Sequence, residues 1–267
     1  MKFKSINQIL KSFFFFAIIL FQLDFCYAQP KELPVSLKPF LLPGYEMLDF
    51  VEADLNNDKK TDAILILKSP GEDSIMEQDI TRPFLLLIKQ ADGKLKLKKR
   101  NDHLVMCKHC GGVFGDPYDN ISVQKNSFTI SFYGGSNWRW GYDYTFTYDL
   151  LKDDWFLTKE YQLSYHSSDP DKTKESQIDQ AELGSIKLED FNVDPPYRET
   201  KWKVISDKAY FYDNPKLESK PRKGYLIKGD TATSYRELKN FVVITFQGKK
   251  ETFTSGYVLK NNLKKIE

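Results

Sequence analysis

From Trp138 to Tyr148 every second residue is aromatic: Trp138, Trp140, Tyr142, Tyr144, Phe146 and Tyr148. Side chains on a strand point alternately to opposite faces, so all of these share one face while Arg139, Asp143, Thr145 and Thr147 take the other. A helix would scatter the same residues around its circumference. The row therefore predicts a strand in a packed sheet, with a platform on which a ligand stacks as the functional alternative.

The same period of two governs Phe50 to Tyr165. Ile64-Leu65-Ile66-Leu67 and Phe84-Leu85-Leu86-Leu87-Ile88 are short continuous apolar runs, the pattern of central strands. Ile121 and Val123, then Phe128, Ile130 and Phe132, alternate on either side of Lys125-Asn126 and predict a hairpin. Trp155 and Phe156 open a further strand ending near Tyr165. Residues 167–180, with Asp169-Pro170-Asp171-Lys172, carry no apolar repeat and are expected to form a surface excursion or linker. Ile186-Lys187-Leu188 is expected to return as a short strand. Asp194-Pro195-Pro196 then supplies a stiff boundary. Beyond it, short strands are predicted at 201–205, 209–212, 224–227, 231–238, 241–246 and 252–258, broken by Asp213-Asn214-Pro215, Lys228-Gly229-Asp230 and Gln247-Gly248-Lys249. No long amphipathic helix and no internal repeat is evident. The expected fold is all-β: an antiparallel β-sheet domain over 29–194, then a small β-barrel over 195–267.

The amino terminus has the three-part order of a secretory signal peptide: Lys2, Lys4 and Lys11, the apolar run Phe13 to Phe21, then Cys26-Tyr27-Ala28. The run is far short of the ~20 apolar residues a spanning helix needs, and Asp24 closes it. Cleavage after Ala28 is expected, giving an exported protein, periplasmic or secreted, with no membrane span. Lipid attachment at Cys26, three residues after Leu23, is the competing reading, disfavoured by Asp24 and Phe25.

Beyond the signal, charge is unevenly spread. Residues 198–267 hold 16 Lys and Arg against 8 Asp and Glu, while 29–197 hold 20 against 28. Such asymmetry suggests modules with different partners. A basic surface suits anionic envelope polymers, against the plainer reading of a solvated lysine-rich face. Nucleic acid is disfavoured by the export signal and by the neutral sum.

The carboxyl-terminal stretch has Tyr210, Tyr212 and Pro215, then Tyr225-Leu226-Ile227-Lys228-Gly229-Asp230, then Phe241-Val242-Val243-Ile244-Thr245-Phe246, and Gly256-Tyr257-Val258 before Asn262-Leu263. Over roughly residues 200–266 it resembles the bacterial SH3-like (SH3b) domains of exported proteins. It departs at Tyr257, where the family commonly has Trp, and at Asn262, where Asp is frequent. The resemblance implies a small barrel that adheres to cell-wall or protein partners.

Asp54, Asn56, Asp58 and Asp62 place side-chain oxygens at positions 1, 3, 5 and 9 of one loop, with the Lys60 carbonyl at position 7. Calcium takes six or more oxygens, and this spacing wraps alternate residues around one point. The loop resembles the calcium loops of FG-GAP and integrin-type propeller blades, which implies calcium as a cofactor. Lys59 stands where those loops usually have Gly, and an ordinary Asx-rich turn remains the alternative.

Cys107 and Cys110 are the only cysteines beyond the signal. In an oxidising compartment they are expected to form a disulfide. Zinc with His103 and His109, a redox pair, and two buried thiols are the alternatives. Gly111-Gly112-Val113-Phe114-Gly115-Asp116-Pro117 and Tyr133-Gly134-Gly135-Ser136-Asn137-Trp138-Arg139-Trp140 are similar to a pattern of exported bacterial proteins that carries no activity with it. Asn137, Trp138, Arg139 and Tyr257 are the ligand-binding candidates, with tight turns the plainer account of the glycines.

No nucleophile elbow, H-E-x-x-H, P-loop or dinucleotide fingerprint is present. The sequence thus favours a non-catalytic envelope protein that binds a partner protein or a cell-wall polymer. An exported hydrolase with an unrecognised site and an inhibitor or immunity-type protein are the alternatives.

Overall fold

A computed structural model describes residues 31–73, 80–193, 200–248 and 252–266, the side chain of Tyr235 excepted. The signal segment 1–28 and the boundary Asp194-Pro195-Pro196 lie outside the described residues. The described residues from Leu33 onward belong to one compact unit.

The fold is all-β. Strands β1 (Glu46–Ala53), β2 (Asp62–Lys68), β3 (Arg82–Lys89) and β4 (Leu95–Val105) form an antiparallel meander. Strands β5 (Tyr118–Gln124), β6 (Ser127–Gly135), β7 (Trp138–Asp149), β8 (Asp154–His166) and β9 (Asp169–Asp179) form a second, in the order β5-β6-β7-β8-β9. The short helix α1 (Gln180–Leu183) follows, with Asp179 and Glu182 closing a capping box at its start. The remaining strands are β10 (Thr200–Val204), β11 (Lys208–Tyr212), β12 (Tyr225–Ile227), β13 (Thr231–Glu237), β14 (Phe241–Gln247), β15 (Phe253–Leu259) and β16 (Leu263–Lys265). They build a seven-stranded antiparallel sheet in the order β12-β11-β15-β14-β13-β10-β16.

The first two sheets pack face to face. Phe84 of β3 stacks on Phe128 of β6 at 5.3 Å between ring centroids, and Phe128 stacks on Phe146 of β7 at 5.4 Å. Ile64, Ile66, Leu86, Ile130 and Trp155 fill the same core, where burial of apolar area supplies most of the stabilisation. The Trp155 indole N–H, buried with its ring, donates to the Leu55 carbonyl at 3.2 Å. On the far side of the four-stranded sheet Leu65, Leu67, Leu85 and Leu87 are covered by Leu33, Leu37, Phe40 and Leu41 of the preceding segment. Strands β2 and β3 are therefore buried on both faces, which is why their sequences read as unbroken apolar runs.

The seven-stranded sheet curls around its own core of Trp202, Val204, Phe211, Leu226, Val242, Ile244 and Val258. Leu238 and Phe241 reach instead into the core of the sandwich.

The Lys125-Asn126 hairpin forms as expected, with Gln124 opposite Ser127 and Asn126 in the left-handed region at φ 52°. Residues 167–180 correct the expectation of a linker: Asp169–Asp179 is β9, the edge strand beside β8. Its charged side chains face water on both sides over most of its length, so an apolar repeat is absent although the strand is present. Ile186 accepts from the Leu157 N–H and Lys187 makes one bridge to Phe156. Leu188–Asp190 then turns as a 3-10 helix, so the expected returning strand is reduced to that bridge.

Candidate ligand cleft

The aromatic row of β7 has two fates. Phe146 is fully buried and Tyr144 nearly so, Tyr142 and Trp140 are half-buried, and Trp138 is 61% exposed. The sandwich opens along this gradient, and Trp140 and Tyr142 leave the core to wall a cleft of about 1500 Å³, with Tyr144 of the core at its base. The rings run in series, 5.3 Å between Trp140 and Tyr142 and 6.1 Å between Tyr142 and Tyr144, and Phe191 closes on Tyr144 at 4.9 Å.

Cross-strand pairing places the polar part of the wall. Tyr142 lies opposite Gln162 and Tyr144 opposite Glu160 on β8. Directly opposite residues share a face, so amide and carboxylate stand beside the rings. Gln162 donates to Glu160 at 2.6 Å, and Arg236 of β13 grips both Glu160 oxygens at 2.7 and 2.6 Å. Burial works against the Arg236 charge, but these bonds to Glu160 outweigh it and raise its pKa. Burial also raises the Tyr142 and Tyr144 hydroxyls, which stay protonated.

The opposite side comes from Asp102, His103, Val105 and Met106 at the end of β4, from Cys107, His109, Cys110 and Gly112, and from Ser185, Ile186 and residues 190–193. Asn101 pins that last segment. Its buried amide donates to the carbonyls of Leu188 at 2.6 Å and Phe191 at 2.7 Å, and its oxygen accepts from the His103 N–H. Asp102 is held by the Arg100 guanidinium at 2.7 and 2.9 Å. Asp190, exposed at the rim, has no ion pair among the described residues. The Nε2 atom of His109 is buried without a hydrogen-bond partner.

Cys107 and Cys110 sit in this wall at disulfide-bonding distance, with 2.19 Å between sulfurs, across a 3-10 turn over Lys108–Gly111. Among the described residues His103 and His109 join no group of metal-ligand geometry, so the zinc alternative has no support. Gly112 makes a parallel bridge to Gly135. A Cβ on Gly134 would lie 2.6 Å from the Trp140 ring and 2.9 Å from the Gly111 backbone. The glycines thus bring the cysteine loop against β6 and seat Trp140. Arg82 anchors the same loop from below: fully buried, it holds Glu72 through Nε at 3.0 Å and Nη2 at 2.9 Å, and Asp116 at 2.8 and 2.7 Å.

The other expected residues lie apart from the cleft lining. Asn137 and Trp138 form the exposed β6–β7 turn, Trp138 edge-on to His166. Arg139 lies over the Phe114 ring at 4.0 Å with Nη1 buried and unpartnered. Tyr257 packs at the border of the sandwich core, where burial raises its pKa.

The Asp54 loop joins β1 to β2. Asp54, Asp58 and Asp62 bring one oxygen each to within 4.8 Å of one another, a spacing compatible with calcium ligands at ~2.4 Å from a common point. Every one of the oxygens also accepts a hydrogen bond. Asp54 takes the N–H groups of Asp58 and Lys59, Asp58 takes Lys60, and buried Asp62 takes Leu55 and Lys89. Asn56 accepts from the Asp58 N–H at 3.1 Å, and Lys60 Nζ lies 3.4 Å from Asp58. Asn57 and Lys59 adopt φ of 61° and 67°, so the turn is made without glycine. Burial raises the Asp62 pKa despite its two backbone bonds.

Sequence reasoning missed Glu160, Gln162, Arg236 and Phe191. The β8 pair could have been found by aligning its alternation with that of β7. Arg236 had no such signal, because the ladder shifts register between Ser234 and Arg236. No protein-family model, curated protein or solved structure matches the chain.

Proposed function

We propose that the protein is a non-catalytic, exported envelope protein that holds a cell-wall polymer in the cleft. One observation carries this reading: the β7 rings emerge from the core into an open wall, while two of the three carboxylates among the described lining residues, Glu160 and Asp102, are occupied by bidentate arginines. Hydrolysis by a carboxylate pair would require two available acids, and among the described lining residues Asp190 alone is unpaired. The export part of the proposal is supported by the amino-terminal signal pattern. The SH3-like assignment of the carboxyl-terminal sheet is supported by the motif residues between Tyr210 and Leu263. Calcium in the Asp54–Asp62 loop belongs to the same proposal, supported by the oxygen spacing.

Co-sedimentation with insoluble cell-wall sacculi tests the reading. The protein should pellet with them, and Trp140→Ala should reduce the bound fraction at least tenfold. Release of soluble fragments from the sacculi would favour the hydrolase instead.

A further inference from the structure

We infer that the ligand of the cleft is an uncharged saccharide chain of several residues. The inference rests on the reading of the cleft as the binding site and names the chemistry of what it holds.

Charge comes first. Among the described residues no lysine lines the cleft, and the one lining arginine, Arg236, is bidentate to Glu160. An anionic ligand would enter with no cation available to replace its water, and desolvating an unpaired charge is costly. A cation fares little better, because Asp102 is committed to Arg100 and Asp190 stands in water at the rim. What remains favourable is a neutral ligand with apolar faces and many hydroxyls.

The wall has the matching pattern. Trp140 and Tyr142 present half-buried rings side by side, suited to the C–H faces of sugar rings, and Tyr142 and Gln162 add polar tips beside them. Across the cleft, His109 is part of the lining, and its Nε2, buried without a partner, comes within reach of a ligand hydroxyl when the turn that carries it yields, which relieves the penalty of an unsatisfied buried polar atom. A hydroxyl both donates and accepts, so it pairs with this nitrogen in either tautomer. An ether or carbonyl oxygen would serve only one. The cleft of about 1500 Å³ exceeds the ~300–1,000 Å³ of a small-molecule pocket, which favours a run of sugar units over a single one.

Isothermal titration with chito- and cello-oligosaccharides, dimer and hexamer, tests this, with oligogalacturonate hexamer as the acidic comparison. A neutral hexamer should bind at least tenfold tighter than its dimer and tighter than the acidic chain. Trp140→Ala and Tyr142→Ala should each weaken it tenfold or more with melting temperature checked, His109→Gln about fivefold, and Trp138→Ala not at all. Tighter binding of the acidic hexamer overturns the inference. So does absence of neutral binding at millimolar concentration while Trp140→Ala still abolishes sedimentation with sacculi, an outcome that leaves the cleft reading standing. Sedimentation insensitive to Trp140 and Tyr142 removes both.

Discussion

The two sheets of the sandwich differ in how many faces they bury. Strands β2 and β3 are covered on one side by the β6–β8 layer and on the other by Leu37 and Phe40. The five-stranded sheet has one covered face, and its other face carries hydroxyl pairs, Thr129 with Thr145 and Thr147 with Thr158, each at 2.8 Å. A doubly covered sheet has no row free to leave the core. In the singly covered sheet the inward row can run past the end of its partner, and β7 does so from Tyr142 outward.

The sharpest way to break this comparison is to truncate one ring from each sheet. Phe84→Ala removes a fully buried side chain at the centre of the aromatic stack and should cost about 3–5 kcal/mol. Tyr142→Ala, at the cleft, should cost less than ~1.5 kcal/mol, since part of the ring already faces water. Urea unfolding measures both. Equal losses would make the whole β7 row core and close the cleft as a site.

The next effect concerns Arg82, which ties the four-stranded sheet to the cysteine loop. Arg82→Met leaves Glu72, with its side chain 6% exposed, buried beside a missing partner, and breaking such a pair costs about 3 kcal/mol or more. Adding Glu72→Gln should restore part of the loss, as the second charge no longer needs a partner. A double variant as unstable as the single one would show that Arg82 acts through packing alone.

Double coverage also decided what could be read from the sequence. The runs at 64–67 and 84–88 are legible because two-sided burial leaves no polar gap, and the β7 row is legible because single-sided burial leaves a strict alternation. Strand β9 escaped detection because it buries almost nothing on either side, so Lys172, Lys174 and Glu175 look like linker residues. The cleft was half legible. Trp140 and Tyr142 announce a row, whereas Glu160 and Arg236 meet across 76 positions of sequence, and no local pattern encodes that meeting. The glycines of 111–112 and 134–135 signalled close approach, but not that Trp140 would be seated by it.

A smaller effect is expected where β1 turns into β2. If calcium binds the folded loop alone, it stabilises by RT ln(1 + [L]/Kd), ~2.7 kcal/mol at a hundredfold excess over Kd. The melting temperature should rise in calcium relative to chelator, and Asp58→Ala should remove most of that rise. Magnesium should substitute poorly, since it requires a tighter octahedron. Identical melting curves in calcium and chelator would leave the loop as a turn held by its own N–H groups, and the four-stranded sheet would owe nothing to an ion.

The smallest effect belongs to the loop that docks on the five-stranded sheet. Closing so short a ring as Cys107 to Cys110 restricts the unfolded chain little, and the chain-entropy model gives about 2 kcal/mol. Reduction, or the Cys107→Ala, Cys110→Ala pair, should therefore lower stability by no more than that, well below the Phe84→Ala loss. The cleft should feel it more than the core does. The turn that carries the cysteines also carries His109, and its neighbour Gly112 bridges to Gly135 beside the Trp140 strand. Loosening that turn frees the His109 ring to reach water and satisfy Nε2 without a ligand. Reduced protein should accordingly keep most of its melting temperature while losing several-fold in affinity for a neutral oligosaccharide, with His109→Gln blunting the difference between the two redox forms. Equal affinity before and after reduction would detach the disulfide from the cleft and restrict it to the stability of its own turn.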